Sequence, residues 1–248
     1  MTVQSANPLD MGELPPTKPD LVIFFVIDCS YSMDGARMNS VNTAMRETVS
    51  ILRGVGGSDA NLKIAVLTFS AGAKWMYTAP IAAKDFEWNE LKVEGWTDFG
   101  AACNMLNEKM SRSAYMASKV GYKKPIVILI TDGEPTDNDV WPEALRILKE
   151  NKWFRLATKI ALAVIEADER ILADFVGTRE GVFKIEDTDA LKRLIKIVTV
   201  TSSEIGRMST PIDINVSDVP GETLDDAAEK QTYQAIHAAI AEDEEDWD

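Results

Sequence analysis

The stretch Leu21-Val22-Ile23-Phe24-Phe25-Val26-Ile27, followed at once by Asp28-Cys29-Ser30-Tyr31-Ser32, decides the fold. Seven consecutive apolar residues, rich in β-branched and aromatic types, suit a strand covered on both faces, as in a parallel sheet. The pattern returns at residues 63–69 (KIAVLTF), 126–130 (IVILI) and 160–165 (IALAVI), with a shorter run at 182–185. Helical spacing fills the intervals. Residues 39–52 place Val41, Met45, Thr48, Val49 and Leu52 on one side and end at Gly54-Val55-Gly56-Gly57. Helices are also expected over 99–119, 142–149 (started by Asp137 or Asp139 as a cap), 169–175 and 188–200. Buried strands alternating with helices predict a doubly wound α/β fold. Its central sheet is mostly parallel and flanked by helices, with one short antiparallel edge strand near residues 74–78.

The chain has 248 residues, 46% of them hydrophobic, enough for one large core. Residues 1–19, with Pro8, Pro15, Pro16 and Pro19, read as a flexible arm without the apolar segment of a secretory signal. Residues 20–205 form the expected domain. Residues 206–248 form an acidic extension with room for an amphipathic helix over 224–240. From Asp213 onward there are 12 acidic residues against one lysine, a net of −11 out of −14, so residues 1–212 carry only −3. With no basic stripe, nucleic acid is excluded as the main partner. No apolar run approaches the roughly 20 residues that span a bilayer. Two cysteines, Cys29 and Cys103, fit small buried hydrophobes in a reducing cytoplasm.

The chemistry lies where strands end. Asp28, Ser30 and Ser32 leave the first strand at alternate positions, which point the same way. Asp132, in Thr131-Asp132-Gly133, leaves the strand over 126–130, and Thr97 precedes the helix at Phe99. In doubly wound sheets, ligands bind outside the carboxyl ends of the strands. Hydroxyls and carboxylates are hard oxygen donors suited to Mg2+, with Mn2+ or Ca2+ as substitutes, and the lack of Cys or His among the five candidate ligands speaks against zinc. Neutral hydroxyl ligands leave the cation much of its charge, so an open position draws in an external carboxylate. Each part alone also has a plainer reading: Ser30 and Ser32 as turn residues, Thr97 as a helix cap, Asp132-Gly133 as an ordinary turn.

Across these segments the chain resembles the von Willebrand factor A domain family. Its metal-ion-dependent adhesion site has Asp-x-Ser-x-Ser, then a distant Thr, then a distant Asp. Asp28, Ser30, Ser32, Thr97 and Asp132 match in that order. The resemblance covers about residues 20–205. It implies that Ser30, Ser32 and Thr97 bind the metal directly and that Asp28 and Asp132 act through water. It also implies a protein-binding module rather than an enzyme, whose partner supplies an Asp or Glu. The run Thr131-Asp132-Gly133-Glu134-Pro135-Thr136-Asp137 is most similar to the bacterial tellurite-resistance-associated, TerY-like branch. That branch implies a cytoplasmic stress response, with a kinase or phosphatase of the same system among the partners.

The alternative is a Mg2+-dependent phosphoryl-transfer or phospho-acceptor protein using Asp28 as nucleophile. Ser30 stands where a second aspartate would be expected for that chemistry. The single histidine, His237, lies in the extension, which leaves no His-based triad in the core. Walker and Gly-x-Gly-x-x-Gly motifs are absent. No catalytic residue is assigned.

Overall fold

The computed structural model describes residues 18–54, 59–118, 120–164, 167–212 and 226–245. In chain order the elements are β1 (Asp20–Asp28), α1 (Ala36–Gly54), β2 (Asn61–Ser70), β3 (Gly72–Trp75) and β4 (Ile81–Ala82). Then come α2 (Phe99–Lys109), β5 (Ile126–Thr131), α3 (Trp141–Glu150), α4 (Lys152–Leu156) and β6 (Thr158–Val164). The last are α5 (Glu169–Val176), β7 (Val182–Ile185), α6 (Thr188–Met208) and α7 (Asp226–Glu245).

The seven strands form one sheet in the order β3-β2-β1-β5-β6-β7, with β4 also paired to β2. The pairs β1–β2, β1–β5, β5–β6 and β6–β7 are parallel, while β3 and β4 run antiparallel to β2. The expected mostly parallel, doubly wound sheet is thus present. Its antiparallel edge consists of β3, shifted toward the turn at Gly72, and the two-residue β4. All nine residues of β1 are buried because helices cover both faces of its sheet. One helical layer packs α1 on α6, and α6 in turn on α7. The other packs α2 on α3, and a chain of rings, Phe69–Phe99–Phe175–Phe154, runs through it with centroids 6.0, 5.8 and 5.2 Å apart. Removing one such fully buried ring costs about 3–5 kcal/mol.

Three expectations are corrected. The helix expected over 99–119 stops at Lys109. Met110 closes its last turn, the Ser111 hydroxyl donates to the Glu108 carbonyl, and backbone bonds from Ala114 and Met116 to Ser111 turn the chain away. Serines compete with the helix for its own carbonyls in this way. The helix expected over 188–200 continues to Met208, burying Ser202 and Ser203, whose hydroxyls donate to carbonyls one turn back. Helix α3 has Val140 at its N-cap, without a side-chain cap. The Asp137 side chain caps α2 instead.

The expected tail helix is present as α7, with Tyr233 and Ile236 buried and Ile240 packed on the core. Residues 1–17 and 213–225 fall outside the described residues, as do the side chains at 244–248. Among the described residues, no helix is long and apolar enough to cross a membrane. Both cysteines are free and buried, and burial pushes the Cys29 thiol up to about 12.

Candidate functional site

Strand β1 is the switch point of the sheet, because the chain leaves it for β2 on one side and returns to β5 on the other. Its last residue, Asp28, is fully buried and has both oxygens engaged. Oδ1 accepts the Ser30 backbone N–H at 2.8 Å, bending the chain out of the strand. Oδ2 accepts the Thr131 hydroxyl from the end of β5 at 2.6 Å. The parallel register explains the second contact: Ile27 pairs with Ile130, so the next residues on each strand are neighbours. Burial is the main cause that raises the Asp28 pKa. The hydrogen bonds from Thr131 and Ser30 oppose it, and the nearby Asp132 charge adds to it.

Beyond the bend, Ser30 is the N-cap residue of a 3-10 turn, Tyr31–Met33, yet its hydroxyl makes no cap bond. It lies 3.0 Å from the Ser32 hydroxyl, which donates to Asp132 Oδ1 at 2.7 Å. The turn-residue reading of these serines therefore leaves their hydroxyls unexplained. The same holds for Thr97: the N-cap of α2 is Asp98, which accepts from the Ala101 N–H, and the Thr97 hydroxyl is not part of the cap. A Cβ placed on Gly133 would stand 3.5 Å from the Ser32 hydroxyl and 3.6 Å from the Thr97 hydroxyl. Both oxygens therefore face the same point of the 133 backbone.

The segment carrying Thr97 is held on three sides. Glu94 and Tyr31 N–H groups donate across to Cys29 and Gly95 carbonyls at 2.7 and 3.2 Å, joining residues 94–95 to the end of β1. The Asp98 N–H donates to the Ser70 carbonyl at 2.8 Å. From the β5 side, the Thr136 N–H donates to the Thr97 carbonyl at 2.9 Å, and the Thr97 N–H donates to the Thr136 hydroxyl at 3.1 Å. Asp137 then accepts the Phe99 and Gly100 N–H groups at 3.2 and 2.7 Å. Its pKa is raised, first by burial and then by its hydrogen bond with the Asp98 carboxyl. A carboxylate on the first turn of a helix also complements the helix dipole.

All five expected residues thus meet at one place. Ser30, Ser32, Thr97 and Asp132 present oxygens there, with Asp28 behind them as an anchor. Four of the five are buried and Ser32 is exposed. Hydroxyl oxygens plus carboxylates fit a hard divalent cation such as Mg2+. Among the described residues, no group of three or more His, Cys, Asp or Glu could hold a metal by itself, so a cation on these residues draws on hydroxyls.

Three contributors were not singled out from the sequence. Thr131 is one, and the strand register gives it away. Thr136 is another, found only through its reciprocal bonds to Thr97. The third is Arg37, in the first turn of α1, whose Nη1 pairs with Asp132 Oδ2 and also donates to the Ser32 carbonyl at 3.0 Å. Only the fold brings these residues together. Of the aromatics next to the site, Trp96 is 70% exposed, whereas Phe99 is buried and Trp141 packs half-buried on the core.

A doubly wound sheet with Asp-x-Ser-x-Ser, Thr and Asp gathered at its switch point defines an α/β domain with a candidate ligand site at the carboxyl ends of its strands. The chain belongs to the von Willebrand factor type A domain family, whose model matches residues 23–197. It is 30% identical over 200 residues to the human inter-alpha-trypsin inhibitor heavy chain H6, a match covering 73% of this chain and 14% of that protein. Among solved structures, a von Willebrand factor type A protein from Catenulispora acidiphila superposes with a TM-score of 0.57 at 19% identity, over 74% of this chain and 43% of that one. Proximal thread matrix protein 1 from the mussel byssus, with a zinc-occupied MIDAS motif, gives 0.54 at 18% identity over 73% and 45%. At these identities the structural likeness shows the fold alone. The chain spans less than half the length of each of these relatives.

Proposed function

We propose that this chain is a metal-dependent docking module in which a divalent cation on Ser30, Ser32 and Thr97 receives an Asp or Glu side chain from a protein partner. The Ser32 hydroxyl bonded to Asp132, with the Ser30 hydroxyl 3.0 Å from it and the Thr97 hydroxyl beside the same glycine, Gly133, at the switch point of a parallel sheet, carries this reading. Ser30, Ser32 and Thr97 bind the cation directly; Asp132 and the buried Asp28 act through water and hold the hydroxyls in place. When bound, the cation would supply a Lewis acid whose charge its neutral ligands leave largely uncancelled, able to receive a carboxylate. Arg37 offsets the Asp132 charge at the edge of the same site.

Mg2+ is the proposed ion, with Mn2+ or Ca2+ as substitutes. Zinc occupies the motif in the mussel protein, so donor type alone does not dismiss it, and a metal series includes Zn2+. The run over 131–137 supports a place in the TerY-like branch: a cytoplasmic, tellurite-resistance-like stress response with a kinase or phosphatase among its partners. The phospho-acceptor alternative loses support, because the Asp28 carboxylate is fully buried and both its oxygens are engaged.

A pull-down with and without EDTA, using wild type and Asp28→Ala in parallel, tests the reading. Partner capture in Mg2+ that is lost in EDTA and in the variant is expected. Capture unchanged by both would reject the metal bridge. Acid-labile phosphorylation absent in Asp28→Asn would instead restore the phospho-acceptor reading.

A further inference from the structure

Six large hydrophobic side chains are exposed among the described residues, and two of them flank this one site. Tyr31, between Ser30 and Ser32, is 64% exposed; Trp96, next to Thr97, is 70% exposed. Each is the immediate chain neighbour of proposed metal ligands. The 3-10 turn that follows Ser30 and the loop that carries Thr97 both leave the neighbouring aromatic in solvent. The Tyr31 N–H donates to the Gly95 carbonyl at 3.2 Å, so the two aromatics ride on loops tied directly together.

The presentation of Trp96 is built in. Gly95 adopts φ +70°, and a Cβ there would lie 2.7 Å from the Ala71 Cβ. Only glycine allows the loop to lie flat on Ala71 in this left-handed conformation. The bonds from Glu94 to Cys29 and from Asp98 to Ser70 fix the chain on either side. An aromatic held in place on a rigid loop loses little freedom on binding, and exposed Trp and Tyr are the side chains that most often dominate protein interfaces.

Charge narrows the partner further. Asp34 and Glu134, each two residues from a proposed ligand, are exposed. A polyacidic segment would meet them as well as the cation and be repelled. A single acid with apolar neighbours would not.

We propose that Tyr31 and Trp96 form an aromatic rim that grips the flanks of one acidic residue, so that the partner is a protein segment with an aromatic or long apolar side chain beside a lone Asp or Glu. This rests on the metal-docking reading and deepens it. The acid meets the cation and the rim selects its neighbours. The chain's own acidic run, Glu242-Asp243-Glu244-Glu245-Asp246-Trp247-Asp248, is by the same argument a poor occupant.

The full chain in excess Mg2+ is titrated with fluorescein-labelled peptides read by anisotropy: GSGFDFGSG, GSGGDGGSG, GSGFNFGSG and one carrying the acidic run EDEEDWD. The Phe-Asp-Phe peptide is expected to bind at least about tenfold more tightly than the Gly-Asp-Gly peptide. Tyr31→Ser and Trp96→Ser are each expected to shrink that preference, with calorimetric Mg2+ affinity unchanged. Equal binding of the two peptides by wild type overturns the rim. So does a preference that survives in the Tyr31→Ser/Trp96→Ser double variant, or tightest binding of the acidic-run peptide. Mg2+-dependent self-association that requires Trp96 makes the surface an interface between copies and overturns the partner assigned here. Binding of the Phe-Asn-Phe peptide equal to that of Phe-Asp-Phe, or binding that persists in EDTA, strikes the metal-docking reading itself.

Discussion

Two of the places where the molecule buries polar groups are built to opposite ends. Under α7, Lys159 is mostly buried: its ammonium donates to the Ala157 carbonyl at 2.8 Å and lies 3.4 Å from Glu229. The Tyr233 hydroxyl lies 2.8 Å from the Lys159 carbonyl and 2.9 Å from Glu229 Oε1. Burial is the main cause that lowers the Lys159 pKa, and Glu229 opposes it. Every member has a partner within the group, so the cluster fastens a helix. At the β1–β5 end, the Ser30 and Ser32 hydroxyls and the Asp132 carboxylate are linked to one another and the Thr97 hydroxyl lies beside the same glycine, with the Arg37 cation paired to the group. A buried polar group with no use for a ligand finds its partner inside the protein. A group of hydroxyl and carboxylate oxygens gathered at the end of a sheet suits a hard cation.

The comparison is broken most severely by removing a ligand. Thr97→Ala is expected to weaken Mg2+ binding by about 100-fold or more, since loss of even a supporting partner costs 10–100-fold. At an Mg2+ concentration 100 times its dissociation constant, wild type gains about 2.7 kcal/mol of stability. Thermal unfolding should therefore show an Mg2+-dependent rise in wild type and none in the variant; a rise in both places the cation elsewhere.

Next, Tyr233→Phe removes the shared hydroxyl under α7 and is expected to lower stability by about 1–2 kcal/mol in urea unfolding. Mg2+ affinity should stay at the wild-type value. A change there would mean the two regions are coupled. Asp137→Ala removes the outer cap of α2, with an expected loss of about 1 kcal/mol and a severalfold weaker metal affinity, because the Thr97 segment loosens. The smallest effect is expected for Arg37→Ala. Calorimetry should find Mg2+ bound slightly more tightly once a neighbouring positive charge is gone, and the chain in EDTA should melt earlier. Weaker Mg2+ binding would make Arg37 a supporter of the cation and not its competitor.

The sheet was readable because parallel strands covered on both faces are written as unbroken apolar runs, and β1, β5 and β6 are of that kind. The five oxygen-bearing residues were readable because they directly follow such runs or precede a helix. What escaped reading depended on long-range pairing. Asp137 looks like a cap for the nearest helix, α3, but the fold brings α2 to it first. Arg37 has no local signature, since its role exists only once Asp132 lies beside the first turn of α1. The end of α2 was misjudged because apolar spacing continues through Met110 and Met116 while serine hydroxyls take the carbonyls. The exposure of Trp96 follows from Gly95 resting on Ala71, a contact no periodicity reports.

The bond from Thr131 to Asp28 joins residues 103 positions apart, and the bond from Ser32 to Asp132 joins residues 100 apart. Neither can form until β5 has inserted beside β1. During synthesis, a ribosome that has not yet extruded residue 132 holds a chain unable to capture anything through this corner. The proposed docking site is thereby withheld until the central sheet closes, and a partly made or misassembled copy lacks it.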